Sequence, residues 1–226
     1  MKQIVIYGVG HMAEFIYYSF QYDSGYEVVA FCVDEAYLEA SETSHFGLPV
    51  LGFSDILKQF PPDSCLMHIA VGRNNAREII FKKVLEAGYD FANYISSKAS
   101  VWPDLVTGRN VFIDQASVLQ PYATIGDNCM LIGARIGHHC RIGNNALLSG
   151  TSLAGNVTIG DNSFLGINSG VKESVQIGSH NIIGGNCFIT KNTEKGSLIY
   201  QAKTSQKLVV SKNIVMFNNT HKCGSE

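Results

Sequence analysis

The chain has 226 residues, which is enough for one large domain or two small ones with a buried core. Its formal net charge of −2 gives no electrostatic reason to expect nucleic acid or an anionic membrane surface as a partner. No apolar run reaches the length of a membrane span, and the N-terminus enters a strand without a signal-type segment. We therefore expect no membrane insertion and a cytoplasmic location.

The first part of the chain alternates predicted strands and helices. Its opening strand–helix–strand unit contains the loop Gly8-Val9-Gly10-His11 and ends at Asp34-Glu35, an arrangement found in nucleotide-binding folds. Backbone amides at a helix start suit a diphosphate, and an acidic side chain suits a ribose or a base. The pattern predicts a Rossmann-like α/β domain over residues 1–95. Its strands are predicted at 2–7, 26–33, 65–71 and 91–95, and its helices at 12–21, 54–60 and 76–87.

Residues 106–189 carry an aliphatic side chain or Phe at nearly every sixth position. This period fits neither an amphipathic helix nor an alternating strand, and it is typical of a parallel β-helix built from hexapeptide repeats. One-residue slips fall at 118–125, 131–136 and 148–153. We predict that the side chains facing the core are those of Val106, Phe112, Val118, Ile125, Leu131, Ile136, Ile142, Leu148, Leu153, Ile159, Leu165, Val171, Ile177, Ile183 and Ile189.

The cysteines and histidines do not form a metal-binding motif. Six cysteines are scattered without a Cys-x-x-Cys pair, which favours buried free thiols. A zinc site built from His138, His139 and Cys140 is disfavoured, because neighbours on one strand point to opposite faces. We expect no metal ion.

Two segments carry a resemblance to a known family. Residues 136–143, with the sequence Ile-Gly-His-His-Cys-Arg-Ile-Gly, and residues 153–168 resemble the bacterial sugar acetyltransferases of the left-handed β-helix class. Within that class, the chain is similar to the sialic-acid O-acetyltransferase and bacillosamine-type N-acetyltransferase family over nearly its whole length. The resemblance implies a left-handed β-helix over residues 96–196, a C-terminal extension over 197–226 and a homotrimer with clefts between its subunits.

The resemblance also implies an activity. It is acetyl transfer from acetyl-CoA to the amino group of a nucleotide-linked amino sugar, for surface-glycan biosynthesis. His138 then matches the family's general base, and an imidazole, with an ordinary pKa of about 6.5, suits proton transfer at neutral pH. His139 is the second catalytic candidate, in a slot that more often holds an acidic residue.

The remaining candidate residues divide between the two substrates. Those expected to bind the nucleotide sugar are Gly8, Gly10, His11, Asp34, Glu35 and Gly72. Those expected to contact the coenzyme are Gly155, whose amide is the candidate oxyanion donor, Ile167, Gly185 and Lys203.

Two other functions stay open at this point. One is a sugar O-acetyltransferase of the sialic-acid type, and the other is a nucleotide-binding module fused to a purely structural β-helix. The sequence also leaves open whether the nucleotide is UDP, dTDP or GDP.

Overall fold

A computed structural model describes residues 1–38 and 43–202 of the protein. The N-terminal part is a five-stranded sheet in the order β3-β4-β2-β1-β5, in which β3 runs antiparallel to β4 and the other neighbours are parallel. The strands are β1 Lys2–Tyr7, β2 Tyr26–Val33, β3 Ser44–His45, β4 Leu48–Gly52 and β5 Cys65–Ile69. The helices are α1 His11–Tyr22, α2 Phe53–Gln59 and α3 Asn74–Glu86, with a 3₁₀ turn at Glu35–Tyr37. The predicted α/β domain is confirmed.

Helix α1 shows why these segments fold as they do. Ala13, Ile16 and Phe20 recur at the spacing of one helix face, and all three are fully buried. The opposite side of the sheet packs on α2 and α3 through Val5, Ile56 and other apolar residues. Both sides of the sheet are thus covered, as a mainly parallel sheet requires.

The second part of the chain is a parallel β-helix with three faces. The domain face has seven strands: Tyr94–Ile95, Phe112–Ile113, Met130–Ile132, Leu147–Ser149, Phe164–Leu165, Ile182–Ile183 and Leu198–Ile199. The groove face has five: Val118–Leu119, Arg135–Ile136, Ser152–Leu153, Gly170–Val171 and Phe188–Ile189. The outer face also has five: Val106–Thr107, Thr124–Ile125, Arg141–Ile142, Thr158–Ile159 and Gln176–Ile177.

Three columns of corner residues with positive φ join the faces. The asparagine corner, between the outer and domain faces, is Asn110, Asn128, Asn145, Asn162 and His180. The glycine corner, between the domain and groove faces, is Gly133, Gly150, Asn168 and Asn186. The histidine corner, between the groove and outer faces, is Tyr122, His139, Asn156 and Ser174. Asn and Gly tolerate this left-handed conformation, which explains their recurrence.

The first three predicted core positions are wrong by one residue. Val118 pairs with Arg135 and Leu119 with Ile136, so Val118 faces outward. Likewise, Ile113 rather than Phe112 lies in the β-helix core. Both residues of these short strands are apolar, so the hydrophobic pattern alone cannot distinguish inside from outside. The side chains that face the core are those of residues 107, 113, 119 and 125, which are spaced by six throughout. The one-residue slip predicted at 118–125 is therefore absent.

The other two slips are present, at 131–136 and 148–153. Both fall at the glycine corner, where Gly133 and Gly150 turn the chain with φ of +60° and +58°. Each of these corners uses one residue fewer than a full hexapeptide. Gly133 and Gly150 both line a groove along the adjoining groove face.

The strand predicted at 91–95 is divided between the two parts of the chain. Phe91 forms a single bridge to Met67 of the sheet, whereas Tyr94–Ile95 pairs with Phe112–Ile113 and begins the domain face. The domain limits 1–95, 96–196 and 197–226 stay predictions, and residues 203–226 lie outside the described part.

The α/β domain packs on the domain face with its α1 side. Phe112 and Met130 are fully buried although they point out of the β-helix, because they meet residues such as Ile16 and Phe20. The Phe112 ring stacks on that of Tyr94 with a centroid distance of 4.9 Å. Within the described residues, no helix is long and apolar enough to cross a bilayer.

Arg77 joins α3 to the asparagine corner and is fully buried. Its guanidinium donates to the carbonyl oxygens of Asn128 at 3.1 Å and Asn145 at 3.0 Å, and to those of Val71 and Gly72 at 3.1 Å. Burial lowers the pKa of Arg77 to about 10, so the side chain stays charged at neutral pH. A buried cation is held here by carbonyl dipoles.

The corner side chains extend this junction as a ladder. The Asn128 side chain donates to Asn145 at 2.7 Å, and Asn110 donates to Asn128 at 2.6 Å. Asn110 in turn accepts the backbone N–H of Ile69 from the sheet at 2.8 Å. The column that turns the β-helix is therefore also the column that binds the domain.

We expect Arg77→Ala to cost about 3 kcal/mol or more of unfolding free energy, because several buried carbonyl oxygens lose a charged donor at once. Chemical denaturation measures the loss. Lys82→Ala on the same helix is the matched control, because Lys82 is exposed and, among the described residues, its one ion pair is with Glu78 at 2.7 Å. The control should stay within about 0.5 kcal/mol, and equal losses in both variants would contradict the assignment.

Asp23, at the end of α1, ties that helix to the start of the β-helix. Its Oδ2 accepts hydrogen bonds from Ser96 Oγ at 2.6 Å, Tyr94 Oη at 2.9 Å and the Ser97 backbone N–H at 3.0 Å. The hydrogen bonds from Ser96 and Ser97 hold the pKa of Asp23 well below its ordinary value. The carboxylate is thus stabilised in its ionised form by folding.

A lowered folded-state pKa gives stability that is present above the unfolded pKa, near ~3.9, and is lost as the pH falls below it. We therefore expect Asp23→Asn to lower Tm at pH 7, with a cost of about 1 kcal/mol for this partly exposed group. The Tm difference between the two proteins should shrink as the pH falls from about 4. A difference that is constant between pH 7 and 3 would exclude the ionised carboxylate as its source.

Candidate functional site

A cleft of about 1010 Å³ lies at the carboxyl ends of β1, β2 and β5. Five of the predicted substrate-binding residues line it together: Gly8, Gly10, His11, Asp34 and Gly72. The first turn of α1 begins at His11 on its wall, so the helix N-terminus presents backbone N–H groups there. The geometry suits a ligand with an anionic group.

Gly8 is required by the backbone at this cleft. Its φ is +129°, and a Cβ there would lie 3.0 Å from the carbonyl oxygen of Ala70. Only glycine fits a positive φ with so close a neighbouring strand. The glycine of the loop motif therefore lets the chain turn directly from β1 into the cleft.

Asp34 lies on the cleft wall with its carboxylate held from one side. Its Oδ1 accepts from Tyr7 Oη at 2.7 Å and from Lys83 Nζ at 2.5 Å. Partial burial opposes ionisation of Asp34, but the hydrogen bonds from Lys83 and Tyr7 outweigh it and lower its pKa. Burial, and then the bond to Asp34, raises the pKa of Tyr7 far above its ordinary value. Asp34 is an ionised acceptor at neutral pH.

Glu35, the sixth predicted substrate-binding residue, does not line this cleft, and its role in binding stays a prediction. Its Oε1 accepts the backbone N–H of Ser54 at 2.7 Å, in the first turn of α2. The backbone hydrogen bond from Ser54 lowers the pKa of Glu35 to about 2. The carboxylate satisfies a helix terminus that has no capping side chain of its own.

His138 lies just before the histidine corner, at the end of a groove-face strand. It lines a cleft of about 470 Å³ with Gln120, Arg135 and Gly155. Gly155, one coil further along, is directly against the imidazole: a Cβ on Gly155 would lie 2.5 Å from Cε1 and 2.6 Å from Nε2. Within residues 1–38 and 43–202, the Gly155 N–H donates no hydrogen bond. A proton acceptor and an amide donor are thus adjacent.

His139 does not point away from His138, contrary to the prediction that the two occupy opposite sides of a strand. The Nδ1 atoms of the two rings are 3.1 Å apart, and the ring planes are nearly perpendicular. The pair lies on a corner, where His139 has a φ of +59°, so strand alternation does not apply. Cys140 does turn inward, and its thiol donates to the Ala154 carbonyl oxygen at 3.1 Å.

A groove of about 970 Å³ continues from this cleft along the groove face. Ile167 lies on its wall beside the glycine corner, and 63% of its side chain is exposed. Gly185 lies against Ile167, since a Cβ there would be 2.9 Å from the Ile167 carbonyl oxygen. Of the four predicted coenzyme contacts, Gly155 lines the cleft of His138, Ile167 lines the groove, and Gly185 lies against Ile167. The fourth, Lys203, lies outside the described residues.

Sequence reasoning missed several residues that complete these sites. Tyr7 and Lys83 look like an ordinary strand residue and an ordinary helix residue, and only the fold places both on Asp34. Gln120 accepts the backbone N–H of His138 at 3.1 Å, and the Tyr122 ring lies 4.6 Å from that of His139. Both precede the histidine pair by one coil, which is the signal that could have identified them.

Comparisons with known proteins agree with this architecture. Residues 3–84 match the PglD N-terminal domain, and residues 156–191 match the bacterial transferase hexapeptide repeat. The perosamine N-acetyltransferase of Caulobacter crescentus, solved with CoA and GDP-perosamine, superposes with a TM-score of 0.79 at 26% identity, over 88% of this chain and 93% of that one.

Two further structures share the fold. The acetyltransferase domain of PglB from Neisseria gonorrhoeae has a TM-score of 0.76 at 22% identity, over 88% of this chain and 96% of that one. WeeI from Acinetobacter baumannii has a TM-score of 0.73 at 21% identity, with the same coverage of both chains.

The protein is therefore an acyltransferase that contains bacterial-transferase hexapeptide repeats. Its β-helix is of the left-handed class, and its N-terminal domain is of the PglD type, which confirms the resemblance to the bacterial sugar acetyltransferases. The alternative of a nucleotide-binding module fused to a purely structural β-helix is therefore set aside.

Proposed function

We propose that the protein transfers the acetyl group of acetyl-CoA to the amino group of a nucleotide-linked amino sugar, with His138 as general base. The observation that carries the proposal is the adjacency of the His138 imidazole and the Gly155 amide, which has no acceptor among the described residues, at one end of a long groove. The Caulobacter relative, crystallised with CoA and a nucleotide-linked perosamine, supports this choice of substrates.

The groove fits a coenzyme by its shape and its lining. Its walls combine the exposed Ile167 and Phe188 with the backbone of the shortened glycine corner, and Lys172 adds a positive charge. A long, flexible, partly apolar arm ending in a thioester suits such a channel. The residues that hold it would be Ile167 and Gly185 along the groove, and Gly155 beside the thioester.

The reaction needs a base and a site for negative charge. As the amine nitrogen attacks the thioester carbonyl, it must lose a proton, and the carbonyl oxygen gains charge. His138 takes the proton, and the Gly155 N–H donates to the oxygen. A positioned base contributes about 10²–10⁴-fold and one oxyanion donor about 10²–10³-fold.

The contact between the two histidines suits this role. If His138 donates from Nδ1 to Nδ1 of His139, then His138 Nε2, which faces Gly155, is left as the proton acceptor. His139 is then a hydrogen-bond partner that fixes the tautomer of the base. The Tyr122 ring against His139 and the backbone bond to Gln120 hold the pair in place.

The nucleotide cleft and His138 lie on opposite sides of one chain. The cleft continues through Gly72 and Arg73 to Asn162 and His180 at the asparagine corner. The histidine corner is opposite the domain face that the α/β domain covers. The sugar held by one subunit therefore reaches the His138 of a second copy, and we propose a homotrimer of closed symmetry.

His138→Ala should lower kcat by about 10²–10⁴-fold, because the general base is lost, with little change in Tm for an exposed side chain. His139→Gly keeps the left-handed corner and removes only the ring, so its loss should stay within about tenfold. The assay is thiol release from acetyl-CoA with UDP-, dTDP- and GDP-linked amino sugars. Near-normal kcat in His138→Ala, or a greater loss in His139→Gly, would refute the assignment.

Subunit complementation tests the shared site. Asp34→Ala removes the nucleotide contact and His138→Ala removes the base, so each variant alone should be nearly inactive. If sites form between subunits, trimers co-assembled from equal amounts of both should regain about a quarter of wild-type activity by random association. No recovery in verified mixed trimers would show that each subunit uses its own His138.

A further inference from the structure

The cluster of Tyr7, Asp34 and Lys83 leaves Asp34 with one occupied and one free oxygen. Both hydrogen bonds, from Tyr7 and from Lys83, end on Oδ1. Among the residues that the structure describes, Oδ2 has no hydrogen-bond partner, although the carboxylate lines the nucleotide cleft. A carboxylate oxygen offers about two lone-pair sites, so Oδ1 is saturated while Oδ2 is available to a ligand.

The two donors are firmly held. Tyr7 is 2% exposed and lies within β1. The Lys83 ammonium lies 4.3 Å from the ring centroid of Phe53, a buried residue, which adds a cation–π contact to its ion pair with Asp34. A ligand that entered the cleft would have to break these contacts before it could use Oδ1.

The surroundings of Asp34 suit a flat base. Tyr37 and Ile79 line the same cleft, and 74% and 68% of their surfaces are exposed. Tyr37 is tied to Asp34 through the 3₁₀ turn, where its N–H donates to the Asp34 carbonyl oxygen at 2.8 Å. Large, mainly apolar side chains beside the unpaired carboxylate oxygen provide a surface on which a base can stack. A ribose would not need such a surface.

We propose that Tyr7 and Lys83 are positioning residues that limit Asp34 to one accepting oxygen, and that the cleft therefore selects a uridine or thymidine diphosphate over guanosine diphosphate. Guanine presents two adjacent N–H donors, and a carboxylate reads such a pair with both oxygens. Uracil and thymine present a single N–H between two carbonyl groups, which one free oxygen matches. The inference rests on the proposed function only in taking this cleft as the nucleotide site.

The test is calorimetric titration of the full-length protein with UDP, dTDP and GDP. GDP is the informative nucleotide for comparison, because the Caulobacter relative was crystallised with a GDP-linked sugar. The better-bound pyrimidine nucleotide should bind at least about tenfold more tightly than GDP, the difference of one good hydrogen bond to a charged group.

Variants separate positioning from a structural role. Lys83→Met and Tyr7→Phe each free a lone pair of Oδ1, so the preference for the pyrimidine nucleotide over GDP should fall towards one. A merely structural role would weaken all three nucleotides equally. Lys82→Met, an exposed neighbour on α3, should change neither affinity nor preference. If Lys83→Met does not fold, as judged by its Tm, Tyr7→Phe decides.

The results of the nucleotide titrations can be told apart from those of the acetyl-transfer assay. GDP binding as tightly as UDP and dTDP, or an unchanged preference in the folded variants, would overturn this inference. Failure of all three nucleotides to bind would overturn it together with the proposed substrate class. Pyrimidine selectivity without acetyl transfer to any amino sugar would support the inference and contradict only the proposed function.

Discussion

The burial of one guanidinium at the asparagine corner fixes the arrangement of the molecule. Arg77 reaches from α3 to carbonyl oxygens on two successive coils, and it also holds the Val71–Gly72 backbone that lines the cleft of the α/β domain. A buried cation without these acceptors would be strongly unfavourable, so the junction has one geometry. The cleft of the α/β domain is thereby fixed in position relative to every coil of the β-helix.

This geometry places three features of the molecule on two faces and one corner of the β-helix. The domain face is occupied by the α/β domain, the groove face carries the long channel, and the corner opposite the domain carries His138. On the proposal made above, a single copy then holds two half-sites on different sides of the molecule, namely the cleft of the α/β domain and His138. Oligomerisation would then be part of the catalytic arrangement rather than an addition to its stability.

Much of this architecture could be predicted from the sequence, for a physical reason. A period of six, with corner glycines and asparagines, has few structural solutions, and the α/β pattern has few as well. What failed was local. Val118 and Leu119 are both apolar, so the sequence does not show which of the two side chains faces the core. His139 has the backbone conformation of a corner, so the alternation of side chains along a strand does not apply to it. Lys83 could not be placed on Asp34, because that contact joins residues 49 positions apart.

The β-helix also places residues at regular intervals along its axis. Arg135, Ser152, Gly170 and Phe188 occupy successive rungs of the groove face, so they are spaced by the distance between paired strands, about 4.8 Å. The length of the groove beside His138 is therefore a whole number of strand spacings. Removal or insertion of one coil beyond Gly155 would shorten or lengthen it by a fixed step, while His138, Gly155 and the Arg77 junction kept their positions. If the groove holds the acyl carrier as proposed, the number of coils sets the length of carrier that it can accommodate.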